Sequence, residues 1–185
     1  MPKISDSKVL IVATDGFEQS ELFGPREILM EQGADVKLAS PSLTPIQATV
    51  HDDAGKTIRP DMTIEDARAA DFDALVLPGG VRNPDALRTN KAAIALICDF
   101  EKAGKPIAAI CHGPWLLVEA GLVKGRTVTG WPSIRTDLRN AGGKVVDEPV
   151  AVDGNIITSR KPDDVKPFTN ALMDALETAD EPAGA

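Results

Sequence analysis

The chain has 185 residues, of which 43% are hydrophobic, and its 20 lysines and arginines against 28 aspartates and glutamates give a net charge of −8. This composition is typical of a folded globular protein, and the negative charge argues against electrostatic binding to nucleic acid or to anionic membranes. The two histidines and two cysteines exclude a site that needs several histidine ligands, and without a CxxC pair they also disfavour zinc binding.

The length fits one domain, which we expect to cover residues 1–185. The N-terminus lacks a basic region followed by an apolar stretch and a cleavage site, and the apolar runs are too short for a membrane-spanning helix. We therefore expect a cytoplasmic protein without a membrane segment.

Apolar runs alternate with amphipathic patterns along the chain. In the first half of the chain they predict a strand at 8–14, a helix at 18–32, strands at 35–40 and 73–77, and a helix at 85–103. In the second half they predict a strand at 106–110, a helix at 114–120, and strands at 126–129 and 144–152 around a helix at 132–140. A hairpin at 152–158 and a helix at 164–177 complete the predicted elements. Pro25 is expected to kink or interrupt its helix. Residues 41–63 read as an excursion with a small hairpin, and the tail at 178–185 as frayed.

The repeated strand–helix units predict an α/β fold with a mostly parallel sheet and helices on both faces. Ligands of such folds bind beyond the carboxyl ends of the strands. Three segments follow strands in this way, namely 15–18, 78–80 and 111–113. We expect these segments to converge on one site.

Cys111 is the most informative residue, because it follows a buried strand directly and precedes a helix. This arrangement matches a nucleophile elbow, a sharp turn in which Ala109 and Gly113 are the small flanking residues. The start of a helix favours a thiolate over a thiol. The N–H of His112 and a second N–H from Gly79-Gly80 are candidate donors to an oxyanion. Cys98, by contrast, lies on an apolar helical pattern and is interpreted as core.

The segments AICHGP (109–114) and DALVLPGG (73–80) together resemble the PfpI family of cysteine peptidase-like and deglycase-like stress proteins, in the class I glutamine amidotransferase-like superfamily. Further matches are Glu18, the pair at 141–142, and the segments at 152–155 and 158–160. The resemblance spans about residues 8–172. It implies a flavodoxin-like three-layer sandwich that forms homodimers or larger homo-oligomers.

The resemblance also implies roles for individual residues. Cys111 would be the nucleophile, Glu18 the carboxyl beside its sulfur, and His112 the general base. Asp85 is at the position from which a neighbouring subunit would orient this histidine. From the residues themselves, Gly79, Gly80 and Gly113 are expected to supply backbone groups around the site, and Trp131 either forms its wall or packs half-buried. Glu21 is interpreted as a solvated residue and His51 as a surface or oligomer contact.

Two hypotheses from different classes follow for the function. The first is a cysteine hydrolase that acts on reactive carbonyl compounds such as methylglyoxal, on glycated protein side chains or thiol adducts, or alternatively on peptides. The second is a redox-sensing or chaperone-like stress protein in which Cys111 is oxidised. We expect no metal, because the sequence has only two histidines and no CxxC pair, and no nucleotide cofactor, because nucleotide-binding loops are absent. A glutaminase is disfavoured, since no histidine follows His112.

Overall fold

The computed structural model describes residues 4–179, within which twelve strands and six α-helices are found. The strands are β1 Lys8–Val12, β2 Phe17–Glu18, β3 Asp35–Ser40, β4 Ile46–Val50, β5 Asp53–Ile58, β6 Met62–Thr63, β7 Ala74–Leu77, β8 Ile107–Ile110, β9 Thr127–Val128, β10 Lys144–Val145, β11 Val150–Asp153 and β12 Ile156–Ser159. The helices are α1 Gln19–Glu31, α2 Arg82–Leu87, α3 Lys91–Lys102, α4 Pro114–Glu119, α5 Arg135–Asn140 and α6 Val165–Thr178.

Seven strands form the main sheet, in the order β11-β12-β8-β7-β1-β3-β6. All neighbouring pairs in this sheet are parallel except β11 and β12. The central strands β7 and β8 are buried at every residue, as expected for continuous apolar runs covered on both faces. The order reverses between β1 and β7, and this switch point brings the loops after β1, β7 and β8 to one edge.

Helices cover both faces of the sheet because the side chains of each strand alternate between them. On one face, Leu10 of β1 packs in a core with residues of α3, α4 and α5. On the other, Ile11 packs with residues of α1 and α6, among them Leu22 and Phe168. The predicted α/β sandwich with a mostly parallel sheet is therefore confirmed.

The predicted excursion at 41–63 contains the antiparallel hairpin β4–β5, which joins β2 in a separate three-stranded sheet. Glu18 of β2 pairs with Thr49 of β4. His51, at the turn of this hairpin, has a positive φ of 56°. The β4–β5 hairpin therefore lies beside the edge of the main sheet at which the loops after β1, β7 and β8 converge.

Several predicted boundaries are wrong for identifiable reasons. The helix predicted at 85–103 is two helices, because the Asn90 side chain accepts a hydrogen bond from the Ala93 N–H and so begins α3. Pro25 lies inside α1 without interrupting it. The strand predicted at 144–152 is divided into β10 and β11. Thr178 still belongs to α6, and the predicted tail beyond 179 lies outside the described residues.

In the part of the chain that is described, no helix has the length and apolar character needed to cross a membrane.

Candidate active site

Cys111 is in a strained turn between β8 and α4. Its φ of 63° lies in the left-handed region, which is unusual for any residue other than glycine. The turn is held on both sides, since the Cys111 N–H donates to the Ser159 carbonyl at 3.0 Å and the Cys111 carbonyl accepts from the Trp131 N–H at 2.8 Å. The thiol is nearly enclosed, with 5% of the residue's surface exposed.

The glycines that flank Cys111 provide space and donors. A Cβ on Gly79 would lie 2.7 Å from the Cys111 Cβ, so only glycine allows the two strand ends to approach. The N–H of Gly80, which has a φ of 75°, and the N–H of His112 both act to lower the pKa of the Cys111 thiol. The N–H of Gly113 donates to the Ile110 carbonyl within the turn, so it is not a donor to the site.

The carboxyl that acts on the Cys111 thiol is Glu21, and the expectation that Glu18 occupies this place is wrong. Glu18 precedes α1, and its Oε2 accepts a hydrogen bond from the His51 N–H at 3.2 Å. Glu21 lies one helical turn further on and is fully buried, so the interpretation as a solvated residue is also wrong. Among the described residues, neither Glu21 oxygen has a partner with good hydrogen-bond geometry.

Burial sets the protonation of Glu21 and Cys111. The pKa of Glu21 is raised well above its ordinary value, first by desolvation and then by the nearby Glu18 carboxylate. Desolvation also raises the pKa of the Cys111 thiol, and the Glu21 carboxylate raises it further. The N–H groups of His112 and Gly80 act on the thiol pKa in the opposite direction. Desolvation is the largest of these effects, so burial opposes the thiolate that the start of a helix favours.

His112 provides a base next to this thiol. Its Nδ1 lies 3.3 Å from the Cys111 Sγ, and burial lowers the imidazole pKa, which keeps the ring neutral at pH 7. The ring contacts Trp115 edge-on, with centroids 5.1 Å apart, and stacks on Trp131 at 5.9 Å. The Trp115 indole is in turn fixed by a hydrogen bond to Asp137 at 2.9 Å.

A cavity of about 380 Å³ opens onto the sulfur. Its lining residues are Glu18, Glu21, His51, Asp52, Gly80, Val81, Cys111, His112, Trp131, Ser133 and Pro162. Trp131 lies in the cavity wall with 36% of its surface exposed. His51, expected at the surface or at an oligomer contact, is exposed but also belongs to the lining.

Asp85 lies apart from this cavity within the single chain. It is an exposed residue in α2, and the described residues show no hydrogen bond from its side chain to His112. Its predicted role requires a second subunit and stays a prediction.

Asn83 positions the glycine loop, although sequence reasoning assigned it no role. This fully buried amide donates to the carbonyls of Pro78 and Gly79 at 3.0 and 3.1 Å and accepts from the Thr14 N–H at 2.8 Å. It therefore joins the loops after β1 and β7. No local pattern signals this role, whereas Glu21 has a signal, because it shares the i, i+4 spacing of the buried residues Pro25 and Leu29.

The DJ-1/PfpI family model matches residues 7–175. The chain belongs to this family. A protein of Archaeoglobus fulgidus without an assigned function is 48% identical over 170 residues, covering 92% of this chain and 98% of its own length. A deglycase of Thermococcus kodakarensis is 42% identical over 169 residues, covering 91% and 99% of the two chains.

Among solved structures, a two-domain protein of Anabaena variabilis with DJ-1/ThiJ/PfpI-like and ferritin-like domains superposes with a TM-score of 0.88 at 32% identity. The match covers 97% of this chain and 52% of that protein. This chain therefore spans about half the length of that two-domain protein. The resemblance to the family and the flavodoxin-like sandwich that it implied are confirmed.

Proposed function

We propose that this protein is a cysteine hydrolase for reactive-carbonyl compounds of the methylglyoxal type and for their adducts on amines or thiols. The observation that carries the proposal is the placement of Nδ1 of a neutral His112 at 3.3 Å from the Cys111 Sγ, at the base of an open cavity of about 380 Å³. The printed name of the Thermococcus kodakarensis relative, a deglycase, supports this class of substrate.

Attack begins from the thiol. The Cys111 sulfur forms a bond to the aldehyde carbon while His112 accepts the thiol proton, and the carbonyl π electrons move to the oxygen. The N–H groups of Gly80 and His112, which lower the pKa of the thiol, stabilise the negative charge that develops on the carbonyl oxygen. The oxygen then takes the proton from His112, which gives a hemithioacetal. With an aminocarbinol, the sulfur displaces the amine instead, and the amine leaves with that proton.

Water completes the reaction without an external oxidant or reductant. His112 takes the proton of the hemithioacetal carbon and returns it to the adjacent ketone carbon through an enediol, while the hydroxyl proton of the hemithioacetal passes to the ketone oxygen. The intermediate thereby becomes a thioester bearing a 2-hydroxyl group. Hydrolysis of this thioester releases a 2-hydroxy acid and returns the Cys111 thiol. Glu21, held neutral by its raised pKa, donates a hydrogen bond to the sulfur while it carries negative charge.

Methylglyoxal consumption in amine-free buffer tests this proposal, with and without a pre-formed thiol adduct. We expect many turnovers per subunit in the wild type, a loss of at least about 100-fold in Cys111→Ser and a loss in His112→Ala. Cys98→Ser is the matched control, because this second cysteine only contacts the Ala120 carbonyl at 3.8 Å, away from the cavity. Its activity should equal that of the wild type.

One reaction per subunit, or none, would contradict the proposal. Hydrolysis of a fluorogenic peptide would then favour the peptidase alternative. A gain of two oxygen atoms on Cys111 after peroxide treatment, read by intact mass, would favour the redox-sensing alternative.

A further inference from the structure

One part of the cavity wall is acidic. Glu18 and Asp52 line it, and over residues 4–179 no lysine or arginine belongs to the lining. The buried Glu21 also lines the cavity, but its raised pKa keeps it neutral, so it adds no negative charge. Only His51 and His112 could carry positive charge there, and the pKa of His112 is lowered by burial. A bound group would therefore experience a negative potential.

Glu18 is fixed in this wall before any ligand arrives. Its exposed fraction is 9%, its backbone pairs with Thr49, and one carboxylate oxygen accepts the N–H of His51. A carboxylate held by β-pairing and by a hairpin turn needs little reorganisation on binding, so its charge is available at small entropic cost.

Two further features of the same cavity point to a ligand. Glu21 is fully buried and lines the cavity, and although it lies beside Cys111 and Gly79, neither of its oxygens has a partner with good hydrogen-bond geometry among the described residues. The indole of Trp131, 36% exposed, offers an aromatic face to the same space. Carboxylates combined with an aromatic face favour an organic cation over an anion.

We infer that Glu18, Asp52 and Trp131 form a subsite for a cationic group, such as a guanidinium or an ammonium, carried by the carbonyl adduct that Cys111 attacks. This inference rests on the proposed function for the identity of the reacting group. The charge preference itself does not depend on turnover. Carbonyl compounds that carry a carboxylate near the reacting carbon are correspondingly poor ligands.

Thiol modification tests the subsite without any catalysis. Two methanethiosulfonates of similar length, one with a trimethylammonium group and one with a sulfonate, are reacted with the protein at pH 8, where imidazoles are ordinarily neutral. Modification of Cys111 is followed by peptide mapping, and each rate is divided by that of a small neutral thiol. We expect the cationic reagent to react at least about tenfold faster than the anionic one.

Charge-neutralising variants then locate the effect. Glu18→Gln and Asp52→Asn should each lower the cation-to-anion ratio about threefold, and the double variant more. Asp52 is exposed, so Asp52→Asn tests the subsite even where Glu18→Gln disturbs the hairpin. Glu65→Gln, which removes an exposed carboxyl outside the cavity lining, is the matched control and should leave the ratio unchanged.

Turnover of aryl glyoxals with a para-trimethylammonium, hydrogen or carboxylate substituent separates this inference from the proposed function. We expect KM to rise in that order, with a smaller effect on kcat. A reagent ratio near one in the wild type, or one that neither neutralising variant changes, would overturn the subsite. A high cation-to-anion ratio that Glu18→Gln and Asp52→Asn both lower, without turnover of any glyoxal, would support the cationic subsite and refute the proposed hydrolase activity.

Discussion

Replacing Glu21 with glutamine tests whether the buried carboxyl keeps its proton in the folded protein. In the unfolded chain this carboxyl ionises with its ordinary pKa of 4.5, whereas burial raises the pKa in the fold. Above pH 4.5 the folded state therefore binds one proton more than the unfolded state. The free energy of unfolding then falls as the pH rises, by about 1.4 kcal/mol per pH unit while the proton is retained.

Glu21→Gln removes this dependence. Between pH 5 and pH 7 the wild type should therefore lose free energy of unfolding that the variant keeps, so the variant gains relative stability as the pH rises. Unfolding by guanidinium chloride at pH 5, 6 and 7 measures both free energies. Glu65→Gln, an exposed glutamate, controls for the loss of one carboxyl. The range stops at pH 7 so that ionisation of cysteine thiols in the unfolded chain does not contribute.

The same experiment counts the protons held by the Glu21–Cys111 pair. If Cys111 were a thiolate beside a neutral Glu21, the folded pair would hold one proton, as the unfolded pair does, and the wild-type slope would vanish. Cys111→Ala would then restore the slope, because Glu21 would stand alone. Parallel curves for the wild type, Glu21→Gln and Cys111→Ala would refute the conclusion that burial raises the pKa of Glu21.

Three further predictions concern the scaffold of the site. Asn83→Ala should lower the free energy of unfolding, measured in urea, by about 2–4 kcal/mol, because three hydrogen bonds are lost and the Thr14 N–H is left without its acceptor. An unchanged midpoint would contradict this. Gly80→Ala should cost at least about 3 kcal/mol and reduce turnover, since φ is positive and the new Cβ would lie 2.1 Å from the Gly16 carbonyl oxygen. The pKa of Asp147 is lowered by hydrogen bonds from Arg160 and Arg135, so its contribution to folding stability is present above the ordinary pKa of 3.8 and is lost as the pH falls below it. The free energies of unfolding of the wild type and Asp147→Asn should therefore converge below pH 3.8. Curves that stay equally separated would contradict this.

The central strands could be predicted because burial on both faces leaves a continuous apolar run. β7 and β8 lie within one residue of their predicted limits for this reason. The two-residue strands β2 and β6 carry no such pattern, and backbone pairing with a distant segment defines them. The break between α2 and α3 depends on one side-chain cap at Asn90. The apolar pattern of residues 85–103 does not show this cap, and it therefore predicts a single helix.

The candidate site could be predicted where its geometry follows from chain direction, and was missed where it depends on the residue at which a helix begins. Parallel strands place the loops after β1, β7 and β8 together, so Cys111 and the glycines could be proposed from sequence. The choice between Glu18 and Glu21 depends on where α1 begins, because Glu18 still belongs to β2 and pairs with β4, whereas Glu21 lies in the first turn of the helix. Asn83 acts through long-range contacts with backbone groups, which no local spacing encodes.

Burial of the elbow opposes charge on both Cys111 and His112. The same burial raises the pKa of the Cys111 thiol and lowers the pKa of His112, whose Nδ1 lies 3.3 Å from the sulfur. A protonated thiol is a weaker nucleophile than a thiolate, so the proposed attack requires transfer of the thiol proton to His112 while a carbonyl group is positioned to receive the electron pair. The N–H groups of Gly80 and His112, which lower the thiol pKa, would then stabilise the negative charge that forms. In the proposed hydrolase, the acidic lining formed by Glu18 and Asp52 would act in the same sense, because it repels anions and favours neutral and cationic carbonyl adducts.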